Sequence, residues 1–122
     1  MEPKLQPLSI ESGWYIEWNQ FYEIDPSNDA MHYFDSSSLL HLNNEHAHKA
    51  LNLEWRPEAD LEGEFILRFL QLKPQSESND KRKNVRLVGD WDNPLYEIRG
   101  RNRLVIVDHI ESLCRSHKPK TT

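Results

Sequence analysis

Glu64-Phe65-Ile66-Leu67-Arg68-Phe69-Leu70-Gln71-Leu72-Lys73 is the stretch that decides the fold. Read with period two, it places Phe65, Leu67 and Phe69 on one face, and Ile66, Arg68, Leu70 and Leu72 on the other. A strand that is apolar on both faces belongs in the middle of a sheet, covered by a helix on at least one side. Working outward, residues 50–56 alternate too, with Leu51, Leu53 and Trp55 opposed to Asn52, Glu54 and Arg56. The polar stretch 57–63 must turn the chain, which pairs these two strands antiparallel.

Further strands are expected around the central pair. Trp14, Ile16 and Trp18 alternate with Tyr15, Glu17 and Asn19, which predicts a strand with the first three side chains facing inward. Residues 21–24 extend it or begin a second short strand, 25–29 is turn chemistry, and 39–42 is a short strand. Residues 74–83 read as a mobile hairpin tip, 84–88 as a strand, and 95–99 as a last strand after the Asp90-Trp91-Asp92-Asn93-Pro94 turn. Residues 102–116 form the one convincing helix. There Ile106, Ile110, Leu113 and Cys114 recur at helical spacing, Asn102 caps the start, and Arg115 and His117 suit the dipole at the end. The expected class is α+β: a single antiparallel sheet of about five strands with a C-terminal α-helix packed on one face. Residues 13–117 make this one domain, 1–12 a flexible lead-in, and 118–122 a frayed tail.

Charge is distributed unevenly. Residues 1–64 hold thirteen acids against Lys4, Lys49 and Arg56, a net of −10, while 65–122 hold seven acids against twelve bases, a net of +5. An excess of this kind sets which partners are attracted and how fast they dock. The total of −5 disfavours nucleic acid as a direct partner, and Lys81-Arg82-Lys83 with Arg86 reads as a solubilised loop tip. A single cysteine excludes an internal disulfide. With no secretory signal and no apolar run near the roughly 20 residues of a membrane span, the expected location is cytoplasmic.

Candidate chemistry is sparse. His41, His46 and His48 near Glu45 offer imidazoles for zinc or copper, but their spacing fits no metal signature, so a solvated loop is expected and no metal or cofactor. Glu58 with Asp60, or Asp90 with Asp92, would need burial to act as acid–base pairs, and polar turns leave them ionised. Cys114, on the inward stripe of the helix, reads as a packed thiol rather than a nucleophile. No catalytic residue is assigned. Arg99, Arg101 and Arg103 are placed to meet acids from the first half of the chain. Trp14, Trp18 and Trp55 are expected in the core. Trp91, between two aspartates, either plugs the end of the sheet or presents an aromatic anchor ringed by acid.

Three blocks carry a resemblance. Gly13-Trp14-Tyr15 leading to Asn19-Gln20-Phe21-Tyr22-Glu23-Ile24-Asp25-Pro26 resembles the opening of a family of small immunity proteins. These are encoded beside polymorphic bacterial toxins, including those of contact-dependent growth inhibition. Trp55-Arg56-Pro57-Glu58-Ala59-Asp60-Leu61-Glu62-Gly63-Glu64-Phe65 is similar to a second block, and Asp90-Trp91-Asp92-Asn93-Pro94-Leu95 with the basic stretch and helix to a third. The resemblance implies a cofactor-free, cytoplasmic inhibitor that binds a cognate toxin domain one-to-one, often a basic nuclease. Carboxylates then occupy the surface that grips phosphate. The expected contact residues are Glu58, Asp60 and Glu62, a second patch of Asp90, Trp91 and Asp92, and Glu23 and Asp25 besides. The rival readings are another acidic binding adaptor, or an enzyme that uses the histidines with a carboxylate and a metal.

Overall fold

The structure, a computed structural model, describes residues 2–75 and 86–120. Among these residues six strands, β1 (Tyr15–Asn19), β2 (Leu40–Asn44), β3 (Lys49–Arg56), β4 (Glu64–Pro74), β5 (Leu87–Gly89) and β6 (Tyr96–Gly100), precede one α-helix, α1 (Arg103–Ser116). A 3₁₀ helix at Asn28–Phe34 intervenes between β1 and β2. The fold is α+β: the strands form one antiparallel sheet in the order β1-β2-β3-β4-β5, β6 also pairs with β4, and α1 packs against the sheet. β4 is central because it is long. Phe65 to Phe69 pair with β6, and Leu72 to Pro74 pair with β5.

Register explains the core. Leu42, Leu51 and Phe69 lie side by side, as do Leu40, Leu53 and Leu67, and Trp55 lies beside Phe65, all on the helix side and fully buried. Ile106, Ile110, Leu113 and Cys114 of α1 close this layer. Asn102 starts the helix as read from sequence, its Oδ1 accepting the N–H groups of Leu104 and Val105 at 3.0 and 3.2 Å. His117 ends it in the left-handed region, its N–H bonded to the Leu113 carbonyl at 2.9 Å.

The inward face expected for β1 needs correction, and three other stretches stand as follows. Residues 2–12, expected as a lead-in, run against the domain: Gln6 N–H bonds the Phe21 carbonyl at 2.8 Å, Leu5 bridges Tyr22, and Leu8 and Ile10 pack on the core. A polar, proline-interrupted stretch holds no periodicity, but a few apolar side chains suffice to anchor it. Residues 28–34, which carry no strand or helix expectation, form the 3₁₀ turn that buries Ala30, Met31 and Phe34. Ile16 and Trp18 do not share an inward face, and they are 52% and 46% exposed. The register steps between them, Ile16 opposite Leu42 but Trp18 opposite His41, so a bulge at Glu17 turns Trp18 away from the helix. The expected 74–83 hairpin tip, the start of the 84–88 strand, Lys81-Arg82-Lys83 and the last two residues of the tail lie outside the described residues, in whole or in part.

Candidate functional site

The face of the sheet opposite α1 carries the chemistry. On β2, the alternation that buries Leu40 and Leu42 sends His41 and Asn43 to this face, and on β3 it sends Asn52 beside His41. Asn52 is 1% exposed, and its Oδ1 receives Ser38 Oγ at 2.9 Å and lies 3.0 Å from His41 Nδ1. The Asn52 Oδ1 is thereby satisfied and holds the His41 ring, while the Asn52 Nδ2, equally buried, meets no partner among the described residues. The bulge at Glu17 brings its carboxylate to Asn43 Nδ2, and to within 3.8 Å of His41 Nε2. Trp18, turned to the same side, donates its indole N–H to the Ser38 carbonyl at 2.8 Å.

Trp91 completes the set from the opposite end of the sheet. β5 and β6 both hydrogen-bond to β4, so residues 90–95 bulge out between them. Asp90 N–H is held by the Gln71 carbonyl and Leu95 N–H by that of Phe69, each at 2.8 Å. Gly89 leaves room beneath: a Cβ there would lie 3.0 Å from Leu70 Cδ1 and 3.5 Å from Trp91 Nε1. Trp91 therefore folds onto the open face and stacks on His41, centroids 6.1 Å apart and planes 24° apart, with half its surface exposed. It does not plug the end of the sheet, and its outer half stays open to solvent. Trp91 thus backs the His41 ring, and Glu17, Trp18, Ser37, Ser38 and His41 surround a cleft of about 410 Å³.

The acidic residues expected at the interface fall into two places. Glu58 pairs with Arg56 at 3.2 Å, and Asp60 Oδ1 accepts the Glu62 N–H at 2.9 Å. The Asp60 carbonyl accepts the Trp55 indole N–H at 2.9 Å, so this residue also builds the turn. Arg101 bonds the carbonyls of Leu61 and Gly63 in that turn rather than a carboxylate. Asp25 binds Arg103 at 2.9 Å, and Glu23, exposed nearby, ties its N–H to the Lys4 carbonyl at 2.8 Å. Arg101 and Arg103 thus gather Glu23, Asp25 and the 58–62 turn at one end of the molecule. Asp90, Trp91 and Asp92 are elsewhere, beside Phe69 to Gln71, roughly 20 Å along β4 from Glu64 at 3.3 Å per residue. Lys73 Nζ lies 3.3 Å from Asp90 Oδ1, close enough for an ion pair although the geometry makes no hydrogen bond. Among the described residues Asp60, Glu62 and Asp92 carry no ion pair.

Shifted acidities lie away from this row. Burial pushes the Cys114 thiol up to about 12. A hydrogen bond from Arg99, reinforced by Arg68, holds Glu97 below its usual range. Among the described residues no three His, Cys, Asp or Glu side chains are grouped to hold a metal ion, and His46 and His48 sit exposed in the β2–β3 hairpin, away from the core. No helix of the described residues is long and apolar enough to cross a membrane. Sequence reasoning missed the grouping of Glu17 and Trp18 with His41, and of His41 with Trp91. Its one available signal was the Trp-rich opening, which reads as core until the bulge is known. The chain matches no protein family, no curated protein and no solved structure.

Proposed function

We propose that this chain is an inhibitor of the immunity type, which binds a basic bacterial toxin domain one-to-one in the cytoplasm and neutralises it without a cofactor or chemistry of its own. The observation that carries this reading is the pair of half-exposed indoles, Trp18 and Trp91, held on the open face beside Glu17 and Asp92. Half-exposed tryptophans that are already fixed by hydrogen bonding and stacking lose little entropy on docking, which is how interface anchors work. The surrounding carboxylates, Asp60 and Glu62 at the far end included, add a field that speeds encounter with a basic partner. A nuclease is basic where it grips phosphate, so the same field favours a nuclease as the target. The resemblance of the 13–26, 55–65 and 90–95 blocks points the same way.

Calorimetric titration with a toxin domain encoded beside this chain, at low and high salt, tests the reading. The expected result is tight one-to-one binding that weakens with salt, and loss of the toxin's activity in the complex. Failure to bind any such neighbour overturns it.

A further inference from the structure

We infer that the cleft between Trp18 and His41, with Glu17 at its side, is a receptor for a single arginine side chain of a polypeptide partner. The inference deepens the inhibitor reading and rests on it for the identity of the partner, but the site has its own chemistry.

Three features point to a cation. The Glu17 side chain is half exposed, and among the described residues its only ion-pair partner is His41, at 3.8 Å. The Trp18 indole lines the cleft beside it, facing a His41 ring that is backed by Trp91, and tryptophan is the best aromatic partner for a cation. Ser37 and Ser38 complete the wall, and among the described residues no lysine or arginine lines the cleft itself, Arg56 meeting that wall only through the Ser37 carbonyl at 2.6 Å. The geometry then selects arginine over lysine. A planar guanidinium can lie on an indole face and still fork two N–H groups toward a carboxylate, whereas an ammonium offers a compact, strongly hydrated charge. The slot is also preformed: Trp18 is pinned to the Ser38 carbonyl, and His41 is pinned between Asn52 and Trp91. A second copy of this chain is a poor occupant, because the nearby β1 edge would bring Glu17 toward its own symmetry mate.

The test is an NMR titration of the ¹⁵N-labelled full chain with a capped tetra-arginine peptide, following the four indole N–H signals. Saturable shifts are expected for Trp18 and Trp91. Trp55, fully buried, and Trp14, bonded to the Cys114 carbonyl at 3.1 Å, serve as controls that stay in place. Tetra-lysine should bind several-fold more weakly. Glu17→Gln should weaken tetra-arginine about tenfold, the loss of one charge-assisted contact. Trp18→Phe should weaken it less than Trp18→Ala, and Glu17→Gln provides the answer if the alanine variant unfolds. Absence of saturable shifts, shifts centred on the 58–62 turn, or indifference to Glu17→Gln would each overturn the inference. Peptide binding at this cleft without any toxin binding would sink the inhibitor reading alone. Toxin binding that leaves the Trp18 and Trp91 signals unmoved would sink the arginine site alone.

Discussion

Arg101 lies over the indole of Trp55, its guanidinium carbon 5.6 Å from the ring centroid. The same guanidinium donates to the carbonyls of Leu61, at 2.7 Å, and Gly63. One side chain from the β6–α1 junction therefore clamps the 57–63 turn onto the buried tryptophan.

Removing that clamp should loosen the turn. Arg101→Ala is expected to cost about 1.5 kcal/mol, since two charge-assisted bonds to carbonyls and a surface cation–π contact are lost together. Arg101→Lys should recover less than half, because an ammonium cannot fork across two carbonyls. Urea unfolding gives the totals. Hydrogen exchange at the Gly63 amide, bonded to the Asp60 carbonyl at 2.8 Å, reports the turn itself.

Gly63 is required by close approach. A Cβ there would meet Trp55 Nε1 at 2.6 Å and the backbone oxygens of Arg56 and Asp60 at 2.8 and 2.9 Å. Backbone on two sides cannot yield as a flexible side chain can. Gly63→Ala should destabilise by about 3 kcal/mol, the upper range for overpacking, with a red shift of Trp55 emission as the indole loses its cover.

Ala59 offers the opposite change. Its φ of 54° is left-handed, at a cost of roughly 1–2 kcal/mol for an L side chain. Glycine returns roughly 0.5–1 kcal/mol of that as chain entropy. Ala59→Gly should therefore stabilise by about 0.5 kcal/mol, read as a higher urea midpoint with unchanged slope.

Cys114 sets an alkaline limit. Its thiol is raised from 9.0 to about 12 by burial, with the Glu111 carboxylate adding to the effect. Above pH 9 the unfolded chain loses this proton before the folded one does. The unfolded state then binds fewer protons, and stability falls as pH rises toward 12. Cys114→Ala should flatten that limb relative to the parent, although the deleted sulfur lowers stability at neutral pH. In the folded protein, Ellman's reagent should leave the thiol unreacted at pH 8 until denaturant is added.

Glu97 sets the acid side in the opposite sense. Its carboxyl is lowered from 4.5, first by the hydrogen bond from Arg99 and then by Arg68, at 3.2 and 3.0 Å. A depressed folded value contributes stability that is present above 4.5 and is lost as pH falls through the lowered value. The pair is open to solvent, so the effect is small and screened by salt. Glu97→Gln should reduce the loss of stability below pH 4.5, and 0.5 M NaCl should shrink the difference between the two proteins.

Much of the architecture is legible in local patterns. The two apolar faces of β4, its antiparallel partner β3 and the Asn102 cap of α1 follow from periods of two and 3.6 and from one side-chain oxygen, all properties of neighbouring residues. Cation–carboxylate pairs at Arg99 with Glu64 and Arg103 with Asp25 also follow, because charge excess in one half seeks the other. The face of Trp18 does not follow. Alternation predicts it inward beside Ile16, but a bulge exists only relative to the partner strand, so the register of β1 on β2 reverses the assignment. Likewise 28–34 reads as an irregular link until the core that receives Phe34 is known. The separation of the two acidic turns depends on where along β4 each one docks. His41 and Trp91 are fifty residues apart in the chain, and their stacking requires that β5 and β6 share β4 and throw the 90–95 turn onto the open face. The sequence by itself determined the central strands, the terminal helix with its inward stripe, and the charge. Only the tertiary structure decided which side chains share the open face, because pairing register and strand order are properties of contacts between distant segments.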